Sequence, residues 1–149
     1  LLYDYLMQII LASAKIMNEN IPLCSLPTHA PLFRQEAYTI ARDLQQYDAS
    51  TLSAMLNCSF DIARQNRERY AHFFETNEYM PAIMAYQGQA YKHLKAHELT
   101  QEQLCFADKH LWILSFLYGM LRPLDEIHSY RLEGNIFLES TGDMNVTPV

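Results

Sequence analysis

Apolar residues recur along the chain with two periods, and the switches between them mark the elements. Met-Gln-Ile-Ile-Leu-Ala at 7–12 is a short apolar run that predicts a buried strand. Residues 18–31 carry Pro22, Pro27 and Pro31 and read as loop. From Pro31, which suits a helix's first turn, Phe33, Ala37, Ile40, Leu44 and Tyr47 recur every three or four residues and predict one buried helix face. Asp48 is placed to cap a short helix carrying Leu52, Met55 and Leu56. Asn57-Cys58-Ser59 breaks it, and Ser59 or Asp61 caps the next helix, with Ile62, Ala63, Tyr70, Phe73 and Phe74 as its apolar side. Two short helices joined by a tight turn make a helix-hairpin-helix-like unit.

Further on, Pro81 precedes an apolar stretch at 82–86 that predicts a second strand, closed by a turn at Gly88. Thr100-Gln101-Glu102-Gln103 fits a capping box. Leu104, Ala107, Leu111, Leu114, Tyr118 and Leu121 then follow in alternating steps of three and four, predicting a long helix that ends at Arg122-Pro123. Tyr130–Asn135 leads into a strand-like Ile136-Phe137-Leu138, and 141–149 reads as loop. Few strands among several helices predict an α+β fold, predominantly helical, with a small mixed sheet.

The length of 149 residues fits one domain, and 50% hydrophobic with 19% charged residues is globular composition. Eleven Lys+Arg against seventeen Asp+Glu give a net charge of −6, which excludes a polycation binding nucleic acid through bulk charge. Any basic surface must be local, and it is better sought in residues 1–74, with six basic and seven acidic side chains, than in 75–149, with five and ten. Cys24, Cys58 and Cys105 stand far apart without CxxC spacing, and the apolar opening has no basic flank. Together these predict free thiols and a cytoplasmic protein. Met7 is a possible natural start, leaving Leu1–Leu6 as an upstream extension and 7–149 as the domain.

Leu114-Ser115-Phe116-Leu117-Tyr118-Gly119-Met120-Leu121-Arg122-Pro123-Leu124-Asp125, followed by Tyr130-Arg131-Leu132-Glu133, resembles the signature of the peroxide stress protein YaaA family, roughly L-S-G-L-Y-G-x-L-R-P-L-D and then Y-R-L-E. Ala85–Tyr91 looks like that family's a-f-x-G-x-x-Y segment, and Met7–Lys15 like its opening strand ending S-P-A-K. The resemblance runs from about Met7 to the C-terminus. Ala12 and Ser13 stand where the family has serine and proline, and Phe116 where it has glycine. Family members are longer, so the resemblance implies a domain lacking their C-terminal part. It also implies a cytoplasmic protein of the hydrogen peroxide response, with a helix-hairpin-helix unit that binds DNA, limiting oxidative damage linked to intracellular iron.

On that basis Arg64 and Arg67, which share a face on the hairpin's second helix, are expected to meet DNA phosphates, while Arg69 points elsewhere. Lys15, just past a strand end, joins Arg122 and Arg131 in an expected basic cleft lined by Tyr118, Asp125, Tyr130 and Glu133. The same residues also suit solvated helix faces, a strand-capping lysine, core tyrosines and a structural ion-pair network. An enzyme acting on nucleic acid or a phosphorylated small molecule through Lys15, Arg131 and Glu133 is the alternative. A third possibility is an incomplete structural domain that self-associates through an uncovered apolar surface. The chain is expected to be non-enzymatic, with no cofactor, no metal and no membrane partner. His93 and His97 have metal-compatible i,i+4 spacing but no third ligand, and Cys58 reads as an inert thiol.

Overall fold

The computed structural model describes residues 7–19 and 27–138. The extension Leu1–Leu6, Cys24, Pro22 and the loop expected at 141–149 lie outside the described residues.

The main sheet joins β1 (Ile9–Ala12), β5 (Leu111–Ser115) and β6 (Gly119–Leu121) in the order β1-β5-β6. β1 runs parallel to β5, and β6 returns antiparallel. Two short antiparallel ladders complete the strands: β2 (Ile16–Met17) with β4 (Tyr86–Gln87), and β3 (Met80–Pro81) with β7 (Glu126–Ile127). The helices are α1 (Arg34–Leu44), α2 (Ala49–Met55), α3 (Phe60–Ala71), α4 (Ala82–Ala85), α5 (Gln89–Leu94) and α6 (Gln101–His110). The fold is α+β, mostly helical with small mixed sheets.

Side-chain caps fix the helix starts. Asp48 Oδ1 accepts from Thr51 N at 2.8 Å to open α2, and Ser59 Oγ accepts from Ile62 N at 3.3 Å to open α3. Thr100 and Gln103 form the reciprocal capping box of α6. Between α2 and α3, Asn57 turns the chain with a positive φ of 46°, and Ser53 Oγ donates to Cys58 O at 2.7 Å. Ala63 and Tyr70 of α3 are buried, whereas Ile62 and Phe74 sit at the rim, where Arg42 lies over the Phe74 ring. Phe33 likewise falls outside α1's buried face, which is Ala37, Ala41 and Leu44.

Two expected elements differ. The long helix from Thr100 to Leu121 is only helical to His110; the chain then becomes β5, a turn and β6. The steps from Leu104 to Leu121 match a helix, but Leu111, Ile113 and Ser115 are buried while Trp112 and Leu114 are half-buried, the alternation of a strand. Pairing with β1, about a hundred residues earlier, decides between them. Gly119 closes the β5–β6 turn at φ +69°, with the Phe33 ring 3.0 Å from where a Cβ would stand. The second correction is at 82–86: Ala82–Ala85 forms α4, and only Tyr86 continues as strand. Ala82 N and Ile83 N donate to the carbonyls of Asp125 and Pro123 at 2.9 and 3.0 Å, so α4 starts by hanging from the β6–β7 connection. Ile136 and Leu138 are buried around an exposed Phe137, extended as expected but outside the named strands.

The core centres on Tyr70, Phe73, Ile113, Tyr118 and Leu121, with the Phe73 ring stacked against Tyr70 and Tyr118.

Candidate functional site

Lys15 leaves β1 just after Ser13, whose N–H donates to Leu114 O at 3.0 Å and so ties that strand end to β5. Its ammonium lies 3.2 Å from Glu133 Oε2, and Arg131 Nη2 lies 3.4 Å from Glu133 Oε1. Arg131 and Glu133 face the same way because they are two apart in extended chain, with Leu132 buried between them. Tyr70 of α3 donates its hydroxyl to Arg131 O at 2.8 Å, fixing this segment to the helix pair. Cys58, in the α2–α3 turn, is in electrostatic reach: burial pushes its thiol up, Arg131 pulls it down and Glu133 raises it. A raised thiol is the opposite of a reactive one. Lys15 remains 67% exposed while Glu133 is only 18% exposed. The trio therefore carries one net positive charge, with a largely buried carboxylate pairing an exposed ammonium.

The tyrosines expected to line a cleft are in the core. Tyr130 Oη bonds Ser115 Oγ at 2.6 Å and Tyr86 Oη at 2.7 Å. Ser115 Oγ also accepts from Leu117 N and Tyr118 N at 3.2 and 2.9 Å, and Tyr118 Oη accepts from His128 N at 3.1 Å. Burial pushes the hydroxyls of Tyr86, Tyr118 and Tyr130 upward, so all three stay neutral and act as fixed hydrogen-bonding groups.

Arg122 and Asp125 are held elsewhere. Asp125 is fully buried. Its Oδ2 accepts from Arg122 N at 2.7 Å, and its Oδ1 faces Arg122 Nη2 at 3.2 Å and His29 Nδ1 at 2.5 Å. The other ring nitrogen of His29 meets Asp108 Oδ2 at 2.8 Å, and Asp108 Oδ1 accepts from Leu124 N at 2.9 Å. This network clamps residues around His29 and the end of α6 onto the turn before β7. His29 and Asp108 went unnoticed in the sequence: one stands in a proline-rich loop and the other on a helix face, with no spacing that links them.

Arg64 and Arg67 lie exposed on α3, Arg64 at 3.8 Å from Asp61. Arg69 turns away to Glu19 and to Asn66 Oδ1 at 3.2 Å. His93 and His97 fall on different elements, because Lys95 takes a left-handed conformation and ends α5 between them. Phe116, at the position where the family signature has glycine, packs its ring where a Cβ on Gly134 would collide with it. The structure thus brings together Lys15, Arg131 and Glu133 beside the α2–α3 turn, and holds Arg122 and Asp125 in a network with His29 and Asp108.

The family model described as peroxide stress protein YaaA matches residues 7–147. A UPF0246 protein of Bacteroides thetaiotaomicron is 37% identical over 145 residues, covering 94% of this chain and 55% of the relative. One from Bacteroides fragilis is 37% identical over 138 residues, covering 92% and 54%. Another, from Phenylobacterium zucineum, is 36% identical over 135 residues, covering 90% and 51%. The chain spans about half the length of the curated relatives it matches.

Proposed function

The chain belongs to the peroxide stress protein YaaA family, and from that premise we propose that it serves the cell's response to hydrogen peroxide by binding DNA. Binding is to the phosphate backbone, without strong sequence preference, and limits iron-linked oxidative damage in the cytoplasm. The observation that carries this reading is the grouping of Lys15, Glu133 and Arg131 beside the α2–α3 turn, with Arg64 and Arg67 exposed on α3. An exposed ammonium braced by a half-hidden carboxylate is held ready for an anion, and two arginines one helical turn apart suit neighbouring phosphates. With a net charge of −6, such contact must come from this local set. Among the described residues no helix is long and apolar enough to cross a membrane.

Fluorescence anisotropy with labelled duplex DNA across a salt series tests it. Arg64→Ala with Arg67→Ala should weaken binding to every sequence alike and reduce the log–log salt slope by about two. An unchanged affinity and slope would remove α3 from the interface.

A second reading draws on the same trio. Lys15, Arg131 and Glu133 also have the composition of a pocket for a phosphorylated small molecule, with Glu133 positioning the two cations. Under that reading Lys15→Ala abolishes binding of the small ligand while the Arg64/Arg67 double variant leaves it intact.

A further inference from the structure

The parallel register sets Ile9 beside Leu111. Together with Leu11 they floor an apolar groove of about 730 Å³ between α5 and α6. Ile9 is 47% exposed on the floor and Phe106 48% exposed on the α6 wall, so the groove opens to solvent. Small-molecule sites have this size and character, apolar throughout with a few polar groups placed to fix orientation. Here those groups come mainly from one stripe of α6, where Glu102, Phe106 and His110 follow at steps of four. The Phe106 and His110 rings lie 4.2 Å apart, tilted by 30°. His110 commits its Nδ1–H to Met7 O at 2.9 Å, and His93 on α5 commits its own to Gln89 O at 2.7 Å. Each neutral ring is left with Nε2 as an acceptor. Glu102 is the one carboxylate in a lining without lysine or arginine, and it enters no ion pair among the described residues. An unanswered carboxylate beside an open aromatic ring, above an apolar floor, complements a cation with a hydrocarbon body.

We propose that this groove binds a small apolar ammonium. The hydrocarbon part lies on Ile9, Leu11 and Leu111, and the cationic head sits between the Glu102 carboxylate and the Phe106 ring. The site is independent of the DNA reading, because no residue of the α2–α3 hairpin or of the Lys15 trio lines it. An anionic ligand is the poorer fit, since the lining offers it a carboxylate and no cation.

Three probes with one ring system and different heads test it: naphthylmethylammonium, naphthylmethanol and naphthoate. Each is titrated into the chain by isothermal calorimetry at neutral pH. The ammonium should bind saturably, the alcohol severalfold more weakly and the naphthoate most weakly of all. Glu102→Gln should bring the ammonium down to the affinity of the alcohol and leave the alcohol unchanged. Ala90→Phe, which fills the groove from an exposed position on α5, should abolish binding of both at unchanged far-UV circular dichroism. Glu102 is exposed, so its variant keeps the fold and decides the matter even where Ala90→Phe does not fold. Equal affinity for the ammonium and the alcohol overturns the proposal, as does an ammonium affinity that Glu102→Gln leaves untouched. The absence of saturable binding overturns it too. So does a dimer of the chain, seen by light scattering, that excludes the probe from the groove.

Discussion

Two charged clusters stand within a dozen residues of each other, and they are opposites in structure. At Arg122–Asp125 the carboxylate is fully buried and each oxygen has partners: Arg122 N on one side, the Arg122 guanidinium and the His29 ring on the other. At Arg131–Glu133 the carboxylate sits at the surface boundary and its outer partner is a lysine free to leave. Both belong to motif-like stretches of similar composition. The difference teaches that a distinctive R-P-L-D or Y-R-L-E segment does not say whether its charges hold the fold or meet a ligand. Burial and the saturation of hydrogen bonds do.

The sharpest way to break that contrast is Asp125→Ala. It removes a buried carboxylate that accepts from the Arg122 N–H and meets the Arg122 guanidinium and the His29 ring, so stability should drop by about 3–5 kcal/mol in urea unfolding. A drop below about 1 kcal/mol would make the network no more structural than a surface pair. Next comes Tyr130→Phe, which takes one hydroxyl from a chain shared by Ser115 and Tyr86. A loss of about 1–3 kcal/mol is expected, read as a lower melting temperature with the binding of DNA unchanged.

A smaller, pH-dependent effect belongs to His128, which is buried against Phe73 and Tyr79. Burial lowers its pKa from the ordinary 6.5. The unfolded chain therefore binds the proton more readily than the folded one, so stability falls as pH drops below about 6.5 and is retained above it. Denaturant titrations at about pH 7.5 and about pH 5.5 should show this loss, and His128→Gln should shrink it. Last, Glu133→Gln should cost about 1–2 kcal/mol, since its lysine partner is largely exposed but Glu133 and Arg131 are only 18% and 17% exposed. It should also tighten DNA binding at low salt by freeing Lys15 and Arg131; weaker binding would mean that Glu133 orients the cations more than it neutralises them.

Much of the fold was legible because it is decided locally. Asp48, Ser59 and the Thr100–Gln103 box are read from neighbours three residues away, and α2, α3 and α6 begin where those signals stand. β5 was not legible for the opposite reason. Its apolar spacing continues that of α6, and it is pairing with the remote strand Ile9–Ala12 on one side and with β6 on the other that makes it a strand. In the candidate site, adjacency in extended chain made the Arg131–Glu133 pair visible. The approach of Lys15 to that pair is a consequence of the β1–β5 register and Ser13–Leu114 bond, which no local pattern encodes. His29 and Asp108 were invisible because a clamp made by three distant segments leaves no period in any of them.

The most direct measurement of the contrast is the affinity of the Lys15→Ala variant for duplex DNA, set against the unaltered chain over a salt series with melting temperatures measured in parallel. The predicted result is weaker binding at low salt and a log–log slope smaller by about one, at a melting temperature that barely moves. The same affinity and slope in both proteins would contradict it, and would leave the Lys15–Glu133–Arg131 cluster as one more ion pair on the surface.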